Sequence, residues 1–251
     1  MIKAIFIDID GTIRNDRKIS DSVVEALKKL KEKQVKVILT TGRNFIHTRK
    51  VAREIDAYPL VIACNGALVK RYDNNEVIFS RVIPRDVVRK VFKYSSSHDC
   101  RLLAHEENNN YYIRKSEDIT TAVISLNLFS DNFSRMLTIK DLFKETIPSV
   151  SIVNSSSNLS NGKMEEGKVY FHDIVLANTT KSTGILETMD YLGLINDEVM
   201  VIGDNYNDIP MAMLDVTSVA TSNACHELKN LCNIVLEEDI GLFLNDLADK
   251  I

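Results

Sequence analysis

A short apolar strand near the start of the chain ends in two aspartates, and a glycine and a threonine follow at once. The predicted strand runs from Ile2 to Ile9, the aspartates are Asp8 and Asp10, and Gly11 and Thr12 follow them. Strand alternation would place the two carboxylates on one face, where they repel each other and resist losing their water. The pattern predicts that a cation or a reaction uses them, although a plain strand followed by an Asp-Gly turn is the alternative.

The first 80 or so residues alternate between predicted strands and helices. After the first strand, the predicted elements are a helix over Ser22–Lys33 with a capping box of Ser22 and Glu25, a strand over Val35–Leu39, a helix over Phe45–Ile55 and a strand over Leu60–Ala63. This spacing implies parallel strands joined by right-handed crossovers. Asp8, Thr41 and Asn65 then fall at the carboxyl-terminal edge of one sheet, where open sheets of this kind bind ligands.

The pattern loses this rhythm from about Val82. The stretch contains a helix that begins at Pro84, β-like runs at Tyr111–Ile113 and Ser125–Phe129, a helix over Asn132–Phe143 and a loop rich in Ser and Asn over Asn154–Gly167. The polar run from Glu106 to Tyr112 either faces a substrate or forms a solvated turn, and we predict the turn. We interpret residues 82–176 as an inserted α+β domain.

Strands and helices alternate again after Leu176. The predicted elements are helices over Lys181–Leu192 and Ile240–Ala248, and strands over Val199–Ile202, Ser218–Ala220 and Asn233–Leu236. The sequence therefore predicts an α/β fold in which residues 1–81 and 177–251 form one discontinuous, Rossmann-like core with a parallel sheet.

The composition restricts the class of partner. The net charge of −4, with 26% charged and 45% hydrophobic residues, is typical of a globular protein and argues against a binder of nucleic acid or membrane surfaces. Cys64, Cys100, Cys225 and Cys232 form no C-x-x-C pair, and no charged-then-apolar leader precedes the first strand. We therefore expect a soluble, cytoplasmic protein with reduced thiols and a small-molecule partner.

Four polar clusters, far apart in sequence, fall where predicted strands end or helices begin. They are centred on Asp8, Thr41, Lys181 and Asp204. Asp8 and Asp204 could bind Mg²⁺ together, because this ion takes a few carboxylate oxygens, keeps some waters and accepts an oxygen from a substrate phosphate. Lys181 lies in the first turn of its helix, where the macrodipole disfavours a cation by about 0.3–1 kcal/mol unless an anion is close. The alternative for Lys181 is a solvent-exposed lysine that the helix tolerates.

These clusters resemble the four ordered motifs of the haloacid dehalogenase-like hydrolases, specifically the Cof-type phosphatases with a large type-IIB cap. The motifs are Asp8-Ile9-Asp10-Gly11-Thr12, Thr41-Gly42-Arg43, Lys181 and Gly203-Asp204-Asn205-Tyr206-Asn207-Asp208. The segment Asn65-Gly66-Ala67 also resembles that subfamily. The insert between the second and third motifs has the size that such a cap needs, so the resemblance spans nearly the whole chain.

The resemblance implies a role for each acidic residue of the first and last motifs. Asp8 would be the nucleophile that forms an aspartyl-phosphate, and Asp10 the general acid and base for the leaving alcohol and the attacking water. The carboxylates of Asp8 and Asp204, with the backbone carbonyl of Asp10, would bind Mg²⁺. Asp208 would support the metal shell or Lys181.

The resemblance also implies which groups hold the phosphate. Thr41, Gly42 and Lys181 would bind the phosphoryl oxygens, and Asn207 would help to position the phosphate. Arg43 is a neighbour of this site, and we interpret the basic residues that follow it as a solvated helix face.

The expected function is Mg²⁺-dependent hydrolysis of a small phosphomonoester, such as a sugar phosphate or a phosphorylated cofactor. A phosphotransferase or phosphomutase would use the same aspartyl-phosphate but pass the group to a sugar. A phospho-acceptor signalling domain would also pair acidic residues with a threonine and a lysine, but its chain would be about half as long. The remaining alternative is an inactive relative that binds phosphorylated ligands as a sensor.

Overall fold

The computed structural model describes residues 1–15, 18–153 and 169–251, and they divide into two units. Residues 1–79 and 180–251 form the core unit, and residues 80–179 form the inserted unit. The loop predicted over Asn154–Gly167 lies outside the described residues. Within the described ranges, no helix is both long and apolar enough to span a membrane.

The described strands and helices are numbered in chain order. The strands are β1 (Ala4–Ile7), β2 (Arg14–Asn15), β3 (Lys18–Ile19), β4 (Lys36–Thr40), β5 (Leu60–Ala63), β6 (Leu68–Arg71), β7 (Val77–Ser80), β8 (Arg101–His105), β9 (Asn110–Ile113), β10 (Ser125–Ser130), β11 (Val150–Val153), β12 (Tyr170–Leu176), β13 (Val199–Gly203), β14 (Thr217–Ala220) and β15 (Ile234–Val235). The helices are α1 (Asp21–Glu32), α2 (Phe45–Glu54), α3 (Arg85–Ser97), α4 (Phe133–Thr146), α5 (Lys181–Leu192), α6 (Ile209–Ala212), α7 (His226–Lys229) and α8 (Ile240–Lys250).

The core unit is built on one eight-stranded sheet with the strand order β15-β14-β13-β1-β4-β5-β6-β7. The strands from β15 to β5 pair in parallel, and β6 pairs antiparallel with β5. The Rossmann-like parallel sheet predicted from the sequence is therefore confirmed. The sequence pattern did not predict β6 and β7, which extend the sheet beyond β5.

Helices bury the core sheet, which explains its continuous apolar strands. Phe6, Ile38 and Ile62 of three neighbouring strands are fully buried and belong to one cluster with Ile185 and Met189 of α5. This packing holds the first residue of α5 close to the sheet, which matters for the site described below.

The first helix begins one residue earlier than predicted, at Asp21. Its N-cap is Ser20, whose hydroxyl accepts from the Val23 N–H at 3.4 Å. The capping box predicted for Ser22 and Glu25 is therefore wrong. Ser20 has the extended backbone that an N-cap needs, and it lies directly before the first helical residue.

The inserted unit is an antiparallel sheet with helices α3 and α4 packed against it. The strand order is β11-β12-β10-β8-β9, and the buried side chains of β10, Leu126 and Leu128, share a cluster with Val88 of α3 and Ile139 of α4. The inserted α+β fold is therefore confirmed. The turn predicted after β8 covers residues 106–109, where the Glu106 N–H donates to the Asn109 carbonyl at 2.9 Å, and the rest of that polar run belongs to β9.

Candidate active site

Three carboxylates and one ammonium meet at the carboxyl-terminal edge of the core sheet. Asp8 directly follows β1, and Asp204 directly follows β13, which pairs in parallel with β1. Carboxylate oxygens of Asp8, Asp204 and Asp208 lie within 4.8 Å of one another. Lys181 Nζ donates to Oδ1 of Asp8 and to Oδ1 of Asp208, each at 2.5 Å. The parallel pairing of β1 with β13 thus brings the first and fourth predicted clusters together, and Lys181 of the third cluster contacts Asp8 and Asp208 from the start of α5.

Lys181 is a fully buried cation. Its exposed fraction is 0%, so the alternative of a solvent-exposed lysine is wrong. Burial lowers the pKa of Lys181, but the charges of Asp208 and Asp8 outweigh burial and hold this pKa above its ordinary value. Lys181 therefore stays protonated at neutral pH and supplies a permanent positive charge to the site.

The three carboxylates carry more negative charge than Lys181 can balance. Burial raises the pKa of Asp8 well above its ordinary value, and Lys181 opposes this shift while Asp208 and Asp204 add to it. Burial also raises the pKa of Asp204 to about 7, with a further contribution from Asp208. The raised pKa values of Asp8 and Asp204 mean that the three carboxylates do not all ionise readily when no further cation is close. Its all-oxygen donor set and surplus charge fit a hard divalent cation.

Gly11 and Thr12 shape the position of the Asp204 carboxylate. The Thr12 hydroxyl donates to Asp204 Oδ1 at 2.7 Å. Gly11 has a φ of +89°, and a side chain at this position would overlap the Asp204 carboxylate. Glycine is therefore needed here both for the backbone conformation and for the close approach. Asn223 Nδ2 donates to the Gly11 carbonyl at 2.8 Å and holds this turn in place.

Asp208 stabilises the loop after β13 through hydrogen bonds. Its Oδ2 accepts from the backbone N–H groups of Asp204 and Asn205, both at 2.9 Å, and its Oδ1 accepts from Lys181. Both carboxylate oxygens are thus engaged within the protein. This arrangement favours a supporting position for Asp208, and it orients Asp204 and Lys181 together.

The Asp10 carboxylate forms an ion pair with Arg43. Arg43 Nε donates to Asp10 Oδ2 at 2.6 Å, and a terminal guanidinium nitrogen of Arg43 donates to Asp10 Oδ1 at 2.5 Å. These hydrogen bonds raise the pKa of Arg43 in spite of its partial burial. The alternation expected for Asp8 and Asp10 does not apply, because β1 already ends at Ile7.

The remaining predicted residues lie at the ends of the strands that flank β1. Thr41 follows β4, is buried, and accepts through its hydroxyl from the Arg43 N–H at 3.2 Å, with Gly42 between them. Asn207 lies in the loop after β13, and its Nδ2 donates to Asn65 Oδ1 at 3.2 Å.

Two residues of this region, Thr12 and Asn223, were given no role by the sequence analysis, whereas Arg43 was predicted as a neighbour of the site and Asn65 at the same edge of the sheet. Thr12 stands inside the first motif, so its position in the sequence was a usable signal. Asn223 offered no such signal, because its contact with Gly11 arises only when the chain folds.

The chain belongs to the haloacid dehalogenase-like hydrolases, since the model of this family matches residues 5–239. A phosphoglycolate phosphatase of Archaeoglobus fulgidus is 30% identical over 242 residues, which cover 95% of this chain and 92% of that protein. A 5-amino-6-(5-phospho-D-ribitylamino)uracil phosphatase of Bacillus subtilis is 22% identical over 262 residues, which cover 96% of each chain.

Comparison with solved structures agrees with this family. A structure described as a subclass IIB sugar phosphatase of the haloacid dehalogenase superfamily is similar with a TM-score of 0.78 and 23% identity, covering 99% of this chain and 98% of that chain. The resemblance predicted from the four motifs is therefore confirmed at the level of family and fold.

Proposed function

We propose that this protein is a Mg²⁺-dependent phosphatase that hydrolyses small phosphomonoesters through an aspartyl-phosphate on Asp8. The observation that carries the proposal is the buried Lys181 ammonium held between Asp8 and Asp208, with Asp204 beside them. A permanent cation inside a cluster with surplus carboxylates suits a phosphate dianion bound together with a divalent ion. The relatives named as phosphatases of phosphorylated metabolites support the same substrate class.

Asp8 and Asp204 would hold Mg²⁺ through their carboxylates, and Asp10 through its backbone carbonyl. The ion, when bound, would neutralise charge on the transferring phosphoryl group. Asp208 would keep the loop after β13 in place for this purpose, because its two oxygens already accept hydrogen bonds from that loop and from Lys181.

The proposed reaction has two steps, which are transfer of the phosphoryl group to Asp8 and hydrolysis of the aspartyl-phosphate. In the first, a carboxylate oxygen of Asp8 attacks phosphorus, the bond to the ester oxygen breaks, and Asp10 in its acid form gives its proton to the leaving oxygen. In the second, the Asp10 carboxylate takes a proton from water while the water oxygen attacks phosphorus. The bond from phosphorus to Asp8 then breaks, which restores the Asp8 carboxylate and releases inorganic phosphate.

Four donors would hold the phosphoryl oxygens during both steps. They are the Thr41 hydroxyl, the Gly42 backbone N–H, the Lys181 ammonium and the Asn207 amide. Fixed donors of this kind stabilise a transition state in which charge spreads over the phosphoryl oxygens. The inserted unit would act as the cap that selects the rest of the substrate and gates its access.

A screen for phosphate release tests the proposal. The purified protein is incubated with a panel of sugar phosphates, phosphoglycolate and phosphorylated cofactor precursors, once with Mg²⁺ and once with a chelator. We expect inorganic phosphate from at least one ester, only with Mg²⁺, and strongly reduced release by Asp204→Asn. Release of a new phosphorylated sugar without free phosphate would instead indicate a phosphotransferase, and no turnover of any ester would contradict the proposal.

The ion pair between Arg43 and Asp10 gives a prediction about turnover. Arg43→Lys keeps the positive charge but loses the bidentate hydrogen bonding that orients the Asp10 carboxylate. We therefore expect kcat to fall about 10-fold. Steady-state kinetics measure the change. The matched control is Arg71→Lys, because Arg71 makes the same kind of bidentate ion pair with Asp73 elsewhere in the core unit. Equal kcat values for Arg43→Lys and the wild type would show that the pair does not orient Asp10.

The raised pKa values of Asp204 and Asp8 give a prediction about stability. The folded protein binds more protons than the unfolded chain between the ordinary carboxyl pKa and about 7, so the metal-free protein should lose stability as pH rises from about 5 to 8. Mg²⁺ binds the ionised carboxylates and should therefore raise Tm more at pH 8 than at pH 5.

Thermal denaturation with and without Mg²⁺ measures both effects. Asp204→Asn should weaken the pH dependence and the Mg²⁺ response, whereas the control Asp56→Asn, at an exposed ion pair with Lys31, should change neither. A Tm that rises from pH 5 to pH 8 without metal, in the wild type but not in Asp204→Asn, would contradict the assigned surplus charge.

A further inference from the structure

Three consecutive residues after β5 adopt left-handed backbone conformations. The φ values are +52° for Cys64, +53° for Asn65 and +93° for Gly66, and all three residues are buried. A left-handed conformation is unfavourable by about 1 kcal/mol or more for a residue with a side chain, and it persists only where the surroundings impose it. The turn is therefore held by its contacts.

The backbone of this turn contacts two parts of the proposed phosphate site. The Cys64 N–H donates to the Arg43 carbonyl at 2.8 Å, and the Asn65 N–H donates to the Thr41 carbonyl at 3.0 Å. Gly66 packs so closely on the start of α5 that a side chain there would overlap the Thr180 carbonyl, one residue before Lys181. The turn thus lies between the loop after β4 and the helix that carries the buried lysine.

The side chain of Asn65 reaches a third part of that site. Its Oδ1 accepts from Asn207 Nδ2 at 3.2 Å, and Asn65 is 1% exposed. A carboxamide has a donor end and an acceptor end, and a carbonyl oxygen can only accept. With the Asn65 amide in its observed orientation, its oxygen faces the NH₂ end of the Asn207 amide. The reversed Asn207 amide would set one carbonyl oxygen against the other, and it would present an acceptor in place of a donor to a phosphate.

We propose that Asn65 is a positioning residue that acts through Asn207, by holding the Asn207 amide with its NH₂ group available to the phosphoryl oxygens. This inference rests on the proposed phosphatase function. Asn65 itself need not touch the substrate. Its effect is to preorganise the Asn207 amide as a hydrogen-bond donor. Asn65 therefore lowers the free energy of the transition state only when the amide of Asn207 is present.

A glycine substitution separates this role from the needs of the turn. Asn65→Gly keeps the left-handed backbone without strain and retains the backbone hydrogen bonds, but it removes the amide that orients Asn207. We expect kcat/KM for the best phosphomonoester to fall about 10-fold, in the range of one charge-assisted hydrogen bond. The matched control is Asn75→Gly, at an exposed asparagine with a φ of +64°, and it should leave kcat/KM unchanged.

A double-mutant cycle distinguishes positioning from a general structural effect. If Asn65 acts through Asn207, then Asn65→Gly should lower kcat/KM by less than about 2-fold in a protein that already carries Asn207→Ala. Tm should be similar in all four proteins of the cycle.

Two results would overturn the inference while the proposed function stands: full wild-type kcat/KM in Asn65→Gly, or the same fold loss in the presence and absence of Asn207→Ala. A wild-type protein that releases no phosphate from any ester would overturn the proposed function and this inference together.

Discussion

Asp8→Asn is expected to abolish phosphate release while the protein stays folded. The substitution removes the charge that would attack phosphorus but keeps nearly the same shape, and Asp8 is a buried member of the carboxylate cluster. Removal of a catalytic nucleophile lowers kcat by about 10⁴-fold or more. Lys181 keeps its second ion pair with Asp208, and one of the surplus negative charges is gone, so we expect no large loss of Tm.

Phosphate release at saturating substrate measures the effect of Asp8→Asn, and thermal denaturation checks the fold. The matched control is Asp215→Asn, which replaces an exposed aspartate outside the cluster and should retain full activity. Substantial turnover by a homogeneous Asp8→Asn protein would show that Asp8 is not the nucleophile.

Asp10→Asn is expected to lower kcat by about 10²-fold to 10⁴-fold for alkyl phosphates, because general acid and base help would be lost. The asparagine can still accept a hydrogen bond from Arg43, so the loop after β1 should keep its conformation. An aryl phosphate releases a leaving group that needs no proton. With such an ester the first step should proceed almost normally, and the slow second step should limit turnover.

Rapid-mixing kinetics with alkyl and aryl phosphates measure this difference. The Asp10→Asn protein should show a burst of released phenol with the aryl ester and no burst with the alkyl ester. Equal losses in the first step for both esters would argue that Asp10 acts on the structure of the site rather than as an acid and base.

The parts of the fold that are fixed by local pattern could be predicted from the sequence. Strand Leu60–Ala63, a short apolar run, and helix Lys181–Leu192 have the predicted bounds. Parallel topology predicted that Asp8 and Asp204 lie at the same edge of the sheet. Their close approach also needs β13 to be the direct neighbour of β1, which the structure shows.

Other features depend on contacts that no local pattern encodes. Strand β12 was not predicted, and its buried His172 and Asp173 interrupt the apolar pattern that would mark a strand. The pairing of Arg43 with Asp10 depends on where β1 ends and on side-chain conformation, which strand alternation could not supply. The contact between Asn65 and Asn207 likewise joins two loops that are distant in sequence.

The most direct test is to find where the phosphoryl group resides during turnover. The Asp10→Asn protein, in which the second step should be slow, is mixed with an aryl phosphate and Mg²⁺, quenched in acid and digested for mass spectrometry. We predict that the peptide containing Asp8 gains the mass of one phosphoryl group, and that this signal disappears with a chelator and in the Asp8→Asn, Asp10→Asn double variant. Release of phosphate with no phosphoryl group on Asp8, or with the group on another residue, would contradict the account.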